Sequence, residues 1–263
     1  MGKTTGINYA DKSNNPWQGC NPVSAGCKNC YMFRDKRRYG QDPRRIHRSS
    51  DAVFYAPRKW KEPSRIMVCS WSDFWTAPED MGNFDMVDWR WDYIESVIRK
   101  CPQHTFMITT KRPGQMIQEI GALSGGFTAT LGDNVWLGVS VENQAAADER
   151  IPILLDTPAA KRWLSVEPML APVDISEWLH GCPQKDYEDS DWYQTCCPPD
   201  WVVLGCESGP NHRPCNPEWM RDVIRQCDAA GTKVWVKQMD IGGKVEHDIS
   251  RFPDWARRRE LPV

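Results

Sequence analysis

Three cysteines stand close together in Cys20-Asn-Pro-Val-Ser-Ala-Gly-Cys27-Lys-Asn-Cys30, a C-x6-C-x2-C spacing. Thiolates gathered in one loop, with Gly19, Pro22 and Gly26 shaping it, can converge on a single metal centre. A structural zinc usually takes four ligands as two close pairs. Here there is one close pair and a third cysteine, so zinc would need His47 or a later cysteine to complete it. A [4Fe–4S] cluster suits three cysteines better: three irons take thiolates, and the fourth stays open for a small ligand. The other cysteines need a different reading. Cys69, Cys101, Cys206 and Cys227 sit alone in apolar or helical patterns, as small core residues do. Cys182, Cys196 and Cys197 lie in an acidic insert with Asp186, Glu188, Asp189 and Asp191. One adjacent pair with a distant third is a poor metal site and reads as a lid or surface loop.

Other chemistry-bearing residues recur at the ends of short apolar runs. The runs are Arg65–Cys69, Thr105–Thr109, Val135–Val139, Arg162–Val166, Trp201–Gly205 and Lys233–Lys237. Directly after them come Ser70-Trp-Ser72-Asp73, Thr110-Lys111-Arg112, Ser140-Val-Glu142-Asn143, Glu167-Pro168, Glu207-Ser208 and Gln238. The runs are continuous rather than alternating, as strands buried on both faces of a parallel sheet are. Helical patterns separate them: 85–100, 143–155 and, most clearly, 217–230, with Asn216 as N-cap, Pro217 at N1 and Gly231 past the end. Strands alternating with helices imply an α/β fold with parallel strands, a partial or complete (β/α) barrel. A further strand is expected at 7–9. A doubly wound open sheet is the alternative, though no G-x-G-x-x-G or P-loop follows any strand. Polar residues repeated at strand ends suit a site at the C-terminal mouth of a barrel. Barrel and cysteine loop occupy 1–240, with an insert at 174–200 and a tail at 241–263.

The blocks Asn15-Pro-Trp17…Gly19-Cys20…Ser24-Ala-Gly26-Cys27-Lys-Asn-Cys30-Tyr31, Ser70-Trp-Ser-Asp73-Phe74, Thr109-Thr-Lys-Arg-Pro113, Gly138-Val-Ser-Val-Glu-Asn143, Leu164-Ser-Val-Glu-Pro168, Gly205-Cys-Glu-Ser-Gly-Pro210 and Lys237-Gln238 resemble the phage-associated three-cysteine-motif proteins. That family is radical-SAM-like, although the spacing here departs from the common C-x3-C-x2-C. The resemblance implies a radical SAM enzyme. Cys20, Cys27 and Cys30 would hold a [4Fe–4S] cluster with S-adenosylmethionine on the open iron, and a flavodoxin or ferredoxin would supply electrons. It implies Ser72 and Asp73 for the methionine ammonium, and Ser140, Glu142 and Asn143 for the ribose. Asp73 and Asn143 would equally serve as helix N-caps. Lys111 and Arg112 offer fixed positive charge for a phosphate or the cofactor carboxylate. Glu167, Glu207 and Lys237 are candidates for catalysis or for a structural ion network. The phage context favours modification or repair of a nucleobase.

Arg34, Lys36, Arg37, Arg38, Arg44, Arg45 and Arg48 follow the third cysteine, interleaved with Tyr31, Phe33 and Tyr39. Arg37, Arg38, Arg44 and Arg45 are the candidates for gripping a nucleotide or nucleic-acid backbone. The whole 263-residue chain carries a net charge of only −2, which does not suggest a strongly basic protein that coats DNA and leaves room for a local basic patch. Mean hydropathy is −0.62, no apolar run reaches membrane-spanning length, and the first residues lack a signal-peptide core. A cytoplasmic location without membrane contact is expected, in the host cytoplasm if the gene is phage-borne. The 14 tryptophans argue against disorder. Two other functions are consistent with these residues. One is a zinc-stabilised nucleic-acid-binding protein without catalysis. The other is a (β/α) barrel hydrolase using Glu167 and Glu207 as acid and base, which leaves the cysteine loop unexplained.

Overall fold

The apolar runs become parallel strands, and the stretches between them become helices. A computed structural model describes residues 5–77, 85–123, 130–180 and 197–262. The chain divides into two compact units, Met1–Leu137 and Gly138–Val263. The mostly parallel α/β architecture is the kind from which a partial (β/α) barrel is built.

The first unit holds β1 (Lys12–Asn14), β2 (Trp17–Gln18), α1 (Tyr31–Arg38), β3 (His47–Arg48), α2 (Asp51–Phe54), β4 (Arg65–Val68), α3 (Asp85–Tyr93), β5 (Thr105–Thr110) and α4 (Pro113–Leu123). Strands β1, β4 and β5 pair in parallel, Asn14 opposite Val68 and Val68 opposite Ile108. The strand expected at 7–9 is a turn; β1 lies a few residues later, on Lys-Ser-Asn. Its polar composition is tolerated because Asn14 is fully engaged: Nδ2 donates to the Val53 carbonyl (2.7 Å) and Oδ1 accepts from the Tyr93 hydroxyl (2.7 Å). Around that pair Trp17, Phe54, Phe74 and Tyr93 form an aromatic core with ring centroids 5.0–6.3 Å apart. Such edge and tilted contacts add to the burial energy of each ring. β2 and β3 form a separate antiparallel ribbon beside the cysteine loop. The end of α3 widens into a π-helical turn, Ile94–Ile98.

The second unit contains α5 (Gln144–Asp156), β7 (Lys161–Val166), β8 (Trp201–Gly205), α6 (Pro217–Ala230), β9 (Lys233–Ile241) and β10 (Lys244–Glu246). The division falls inside β6 (Val135–Ser140). β7, β8 and β9 are parallel, and β10 turns back antiparallel to β9. Trp163, Trp201 and Trp235 meet across the three parallel strands in a tilted and an edge-on contact, with ring centroids 5.7 and 6.3 Å apart. α6 has the bounds its caps predict: Asn216 Oδ1 accepts from Glu218 N, and Gly231 ends it at φ 74°. Residues 258–260 run back along β9. Val236 N donates to the Arg258 carbonyl, Val234 N to Glu260 Oε2, and Trp201 Nε1 to the Glu260 carbonyl. Among the described residues no helix is long and apolar enough to cross a membrane. Of the acidic insert, Cys182, Cys196 and their acidic neighbours lie outside the described residues, and Cys197 is exposed.

Candidate functional site

In the first unit β4 and β5 end side by side, and their ends are joined to the cysteine loop. After β4 the chain turns sharply at Cys69, whose φ of 57° is a left-handed conformation uncommon for a side chain of this kind. The turn leads into Ser72 and Asp73. Ser72 Oγ donates to the Gly19 carbonyl at 2.6 Å, and Gly19 N donates to the Trp71 carbonyl at 3.1 Å. Gly19 itself has φ 102°, and a Cβ there would lie 2.5 Å from the Arg45 carbonyl oxygen. Only glycine lets the chain pass this close. Cys20 N continues the stitching by donating to the Pro43 carbonyl at 3.0 Å.

Asp73 is buried and collects four donors: Trp75 N (3.0 Å) and Thr110 Oγ1 (2.6 Å) on one oxygen, Lys111 N (3.0 Å) and Arg112 Nη1 (3.4 Å) on the other. The carboxylate ties the end of β4 to the end of β5. The same Arg112 nitrogen lies 3.9 Å from Cys20 Sγ, and Nη2 donates to the Asn21 carbonyl at 3.0 Å. One guanidinium therefore links Asp73 to the first cysteine.

Cys20, Cys27 and Cys30 are half-buried free thiols. Burial pushes the Cys20 thiol up to about 12, with the Asp73 charge adding to it and Arg112 opposing it. Burial also raises Cys30, against the pull of the Met32 and Phe33 N–H groups at the start of α1 and of Lys111. Cys27 Sγ lies 3.8 Å from the Ser24 hydroxyl. Thiols in such a setting ionise when a metal replaces the proton, and the nearby cations favour the thiolate form. Among the described residues no group of three Cys, His, Asp or Glu side chains is placed to hold a metal ion.

In the second unit the strand ends carry carboxylates, each held by a cation. Glu142, just past β6, is fully buried and bonds Arg150 Nη1 at 2.8 Å; the same nitrogen donates to the Ser140 carbonyl at 2.8 Å. Glu167, after β7 and before a cis proline peptide, pairs with Lys237 of β9. It leans over Gly205, where a Cβ would lie 3.1 Å from the Glu167 carboxyl carbon. Glu207, after β8, is gripped by Arg213 through side chain and backbone, Arg213 N lying at 2.9 Å. That contact raises the Arg213 pKa. Asn143 caps α5, its Oδ1 accepting from Ala146 N at 2.9 Å. Strand-end position points to Glu142 and Glu207 but not to the two arginines that hold them. The one available signal for Arg150 is its place as an arginine on the buried side of an Ala-rich helix.

Arg37 and Arg38 end α1, and Arg44 and Arg45 follow in the next loop; all four are exposed.

A family model covers residues 4–261 and is described as a protein of unknown function, DUF5131. The chain belongs to this family. No curated protein and no solved structure matches the chain. Membership in DUF5131 therefore defines a family that spans both units and leaves the chemistry to be read from the side chains.

Proposed function

We propose that this protein is a cytoplasmic iron–sulfur enzyme of the radical SAM type, acting on a nucleobase, nucleotide or nucleic acid. The observation that carries the reading is the loop of three free thiols, Cys20, Cys27 and Cys30, with Arg112 Nη1 3.9 Å from the first of them. The three thiolates would hold a [4Fe–4S] cluster. When bound, the cluster with S-adenosylmethionine supplies a hydrogen-abstracting radical, fed by a reduced flavodoxin or ferredoxin.

The chain's own residues have narrower tasks. Ser72 and the glycine at 19 fix where the loop leaves the sheet. Asp73 has its donors inside the protein, so it positions Arg112 and the β5 end rather than meeting a ligand alone. Arg112 and Lys111 offset the negative charge of thiolates and of a ligand carboxylate. In the second unit the resemblance implies Ser140, Glu142 and Asn143 for a ribose, but Asn143 Oδ1 is taken by Ala146 N and Glu142 by Arg150, so neither is given a ligand role. Glu167, Glu207 and Lys237 are the acid–base candidates. Glu167 and Lys237 are in direct contact, and Glu207 is held by the side chain and backbone N–H of Arg213.

The test is anaerobic reconstitution with iron and sulfide, followed by iron counting and absorption near ~400 nm. About four irons per chain are expected. Replacing Cys20, Cys27 or Cys30 by alanine should remove them, while Cys101→Ala and Cys227→Ala should not. With dithionite and S-adenosylmethionine, 5′-deoxyadenosine should accumulate. One tight zinc and no iron would overturn the reading.

A further inference from the structure

Positive charge is concentrated in one stretch of the first unit. Residues 31–61 contain ten Lys or Arg and three Asp, a balance of +7 in a chain whose net charge is −2. Salt bridges neutralise part of it: Arg34 pairs with Asp35, and Arg48 with Asp51 and Asp92. Arg37, Arg38, Arg44 and Arg45 have no carboxylate within salt-bridge distance among the described residues, and all four are exposed. The dipole at the end of α1 accounts for one or two cations in its last turn. It does not account for Arg44 and Arg45, which lie beyond the helix.

The segment that carries these arginines is ordered by its backbone. Gln41 N donates to the Lys36 carbonyl, Gly40 N to the Arg37 carbonyl and Arg45 N to the Asp42 carbonyl. It is also fastened to the cysteine loop through Cys20 N and the Pro43 carbonyl, and through the contact of Gly19 with Arg45. In the middle stands Tyr39, 70% exposed, the most exposed large hydrophobic side chain among the described residues. An aromatic ring facing water costs apolar exposure that folding normally removes. Guanidiniums without a carboxylate partner, one of them over the Phe33 ring at 5.8 Å, with an exposed ring between them match the chemistry of single-stranded nucleic acid: phosphates for the arginines, an unstacked base for Tyr39. A duplex keeps its bases stacked and offers Tyr39 nothing.

The geometry points to a docking surface for a short single-stranded nucleic acid on Arg37, Arg38, Tyr39, Arg44 and Arg45, fastened directly to the first cysteine. The inference rests on the proposed function only in taking a nucleobase as the substrate; binding itself requires no cluster.

The experiment is fluorescence anisotropy of the full chain with a labelled 12-nucleotide single strand, the matching duplex and a mononucleotide. It is run on both metal-free and reconstituted protein. About four engaged phosphates predict affinity falling roughly 20-fold between ~50 and ~150 mM salt. The combined variant Arg37→Gln/Arg38→Gln/Arg44→Gln/Arg45→Gln should flatten that slope almost completely. Tyr39→Ala should weaken binding at least about fivefold while leaving the slope unchanged. Arg221→Gln/Arg225→Gln, on α6 of the second unit, should change neither. Circular dichroism confirms that each variant is folded. Absence of single-strand binding, equal binding by the fourfold variant, or tighter duplex binding indifferent to Tyr39 overturns the inference. Binding without cluster assembly would refute the proposed function and leave this surface standing. Cofactor cleavage without oligonucleotide binding would do the reverse.

Discussion

At the strand ends of the first unit one carboxylate, Asp73, gathers four donors, and the arginine that reaches it also reaches a thiol. At the strand ends of the second unit three carboxylates each close onto a cation of their own: Glu142 on Arg150, Glu167 on Lys237 and Glu207 on Arg213. In the first arrangement one buried arginine is shared between a carboxylate and a thiol. The second is internally neutral. On the proposed function, the shared arginine is the one that would face the cluster, whereas the second-unit cations each serve one carboxylate. The difference also indicates which side chains a mutation should damage through folding and which through binding.

The comparison is broken most severely by opening one buried pair in each unit. Arg150→Met leaves Glu142 buried without its cation and should cost about 3–5 kcal/mol in urea unfolding. Adding Glu142→Leu should restore most of it. Arg112→Met should cost less, about 1–3 kcal/mol, because three other donors still hold Asp73. Its main effect should be poor iron loading. Equal stability losses with normal iron in both variants would erase the distinction.

A smaller effect comes from two glycines. A Cβ at Gly138 would lie 2.6 Å from the Trp163 ring, and one at Gly19 would lie 2.5 Å from a backbone oxygen. Gly138→Ala should lower stability by about 1–3 kcal/mol through overpacking and leave metal uptake intact. Gly19→Ala should displace the cysteine loop and reduce iron content at modest loss of stability. Iron analysis beside thermal unfolding separates the two.

The smallest effect tests a single cap. Asn143→Ala should cost about 1 kcal/mol, the usual loss of an N-cap, with calorimetric binding of S-adenosylmethionine to the reconstituted protein unchanged. Lost binding at unchanged stability would instead make Asn143 a ligand contact.

Sequence is informative here where a local signal is strong. Six strands follow from continuous apolar runs, and Asn216, Pro217 and Gly231 alone are enough to bound α6. It is silent where partners are distant. β1 is Lys-Ser-Asn, and only contacts from Val53 and Tyr93 make Asn14 a core residue. α1 reads as a basic stretch because its buried face is short: Met32, Phe33 and Lys36. α4 contains Gly114 and Gly121, which weaken helix propensity. The strand-end residues are legible as a set, but their partners are not. Arg150 and Arg213 hold Glu142 and Glu207 across loops and helices, and no spacing rule links them.

The return of residues 258–260 along β9 has a consequence for synthesis. Every backbone contact described for the first unit is available once residue 137 has been made. The second unit has to wait for Arg258 and Glu260, which supply acceptors for Val234, Val236 and the Trp201 indole. At ordinary translation rates that interval is roughly 6–25 s. During it the tryptophan-rich strands of the second unit lack their last neighbour. A ribosome stalled late on this message would therefore hold a nascent chain whose two halves differ in maturity, and the exposed half would be the one a chaperone meets.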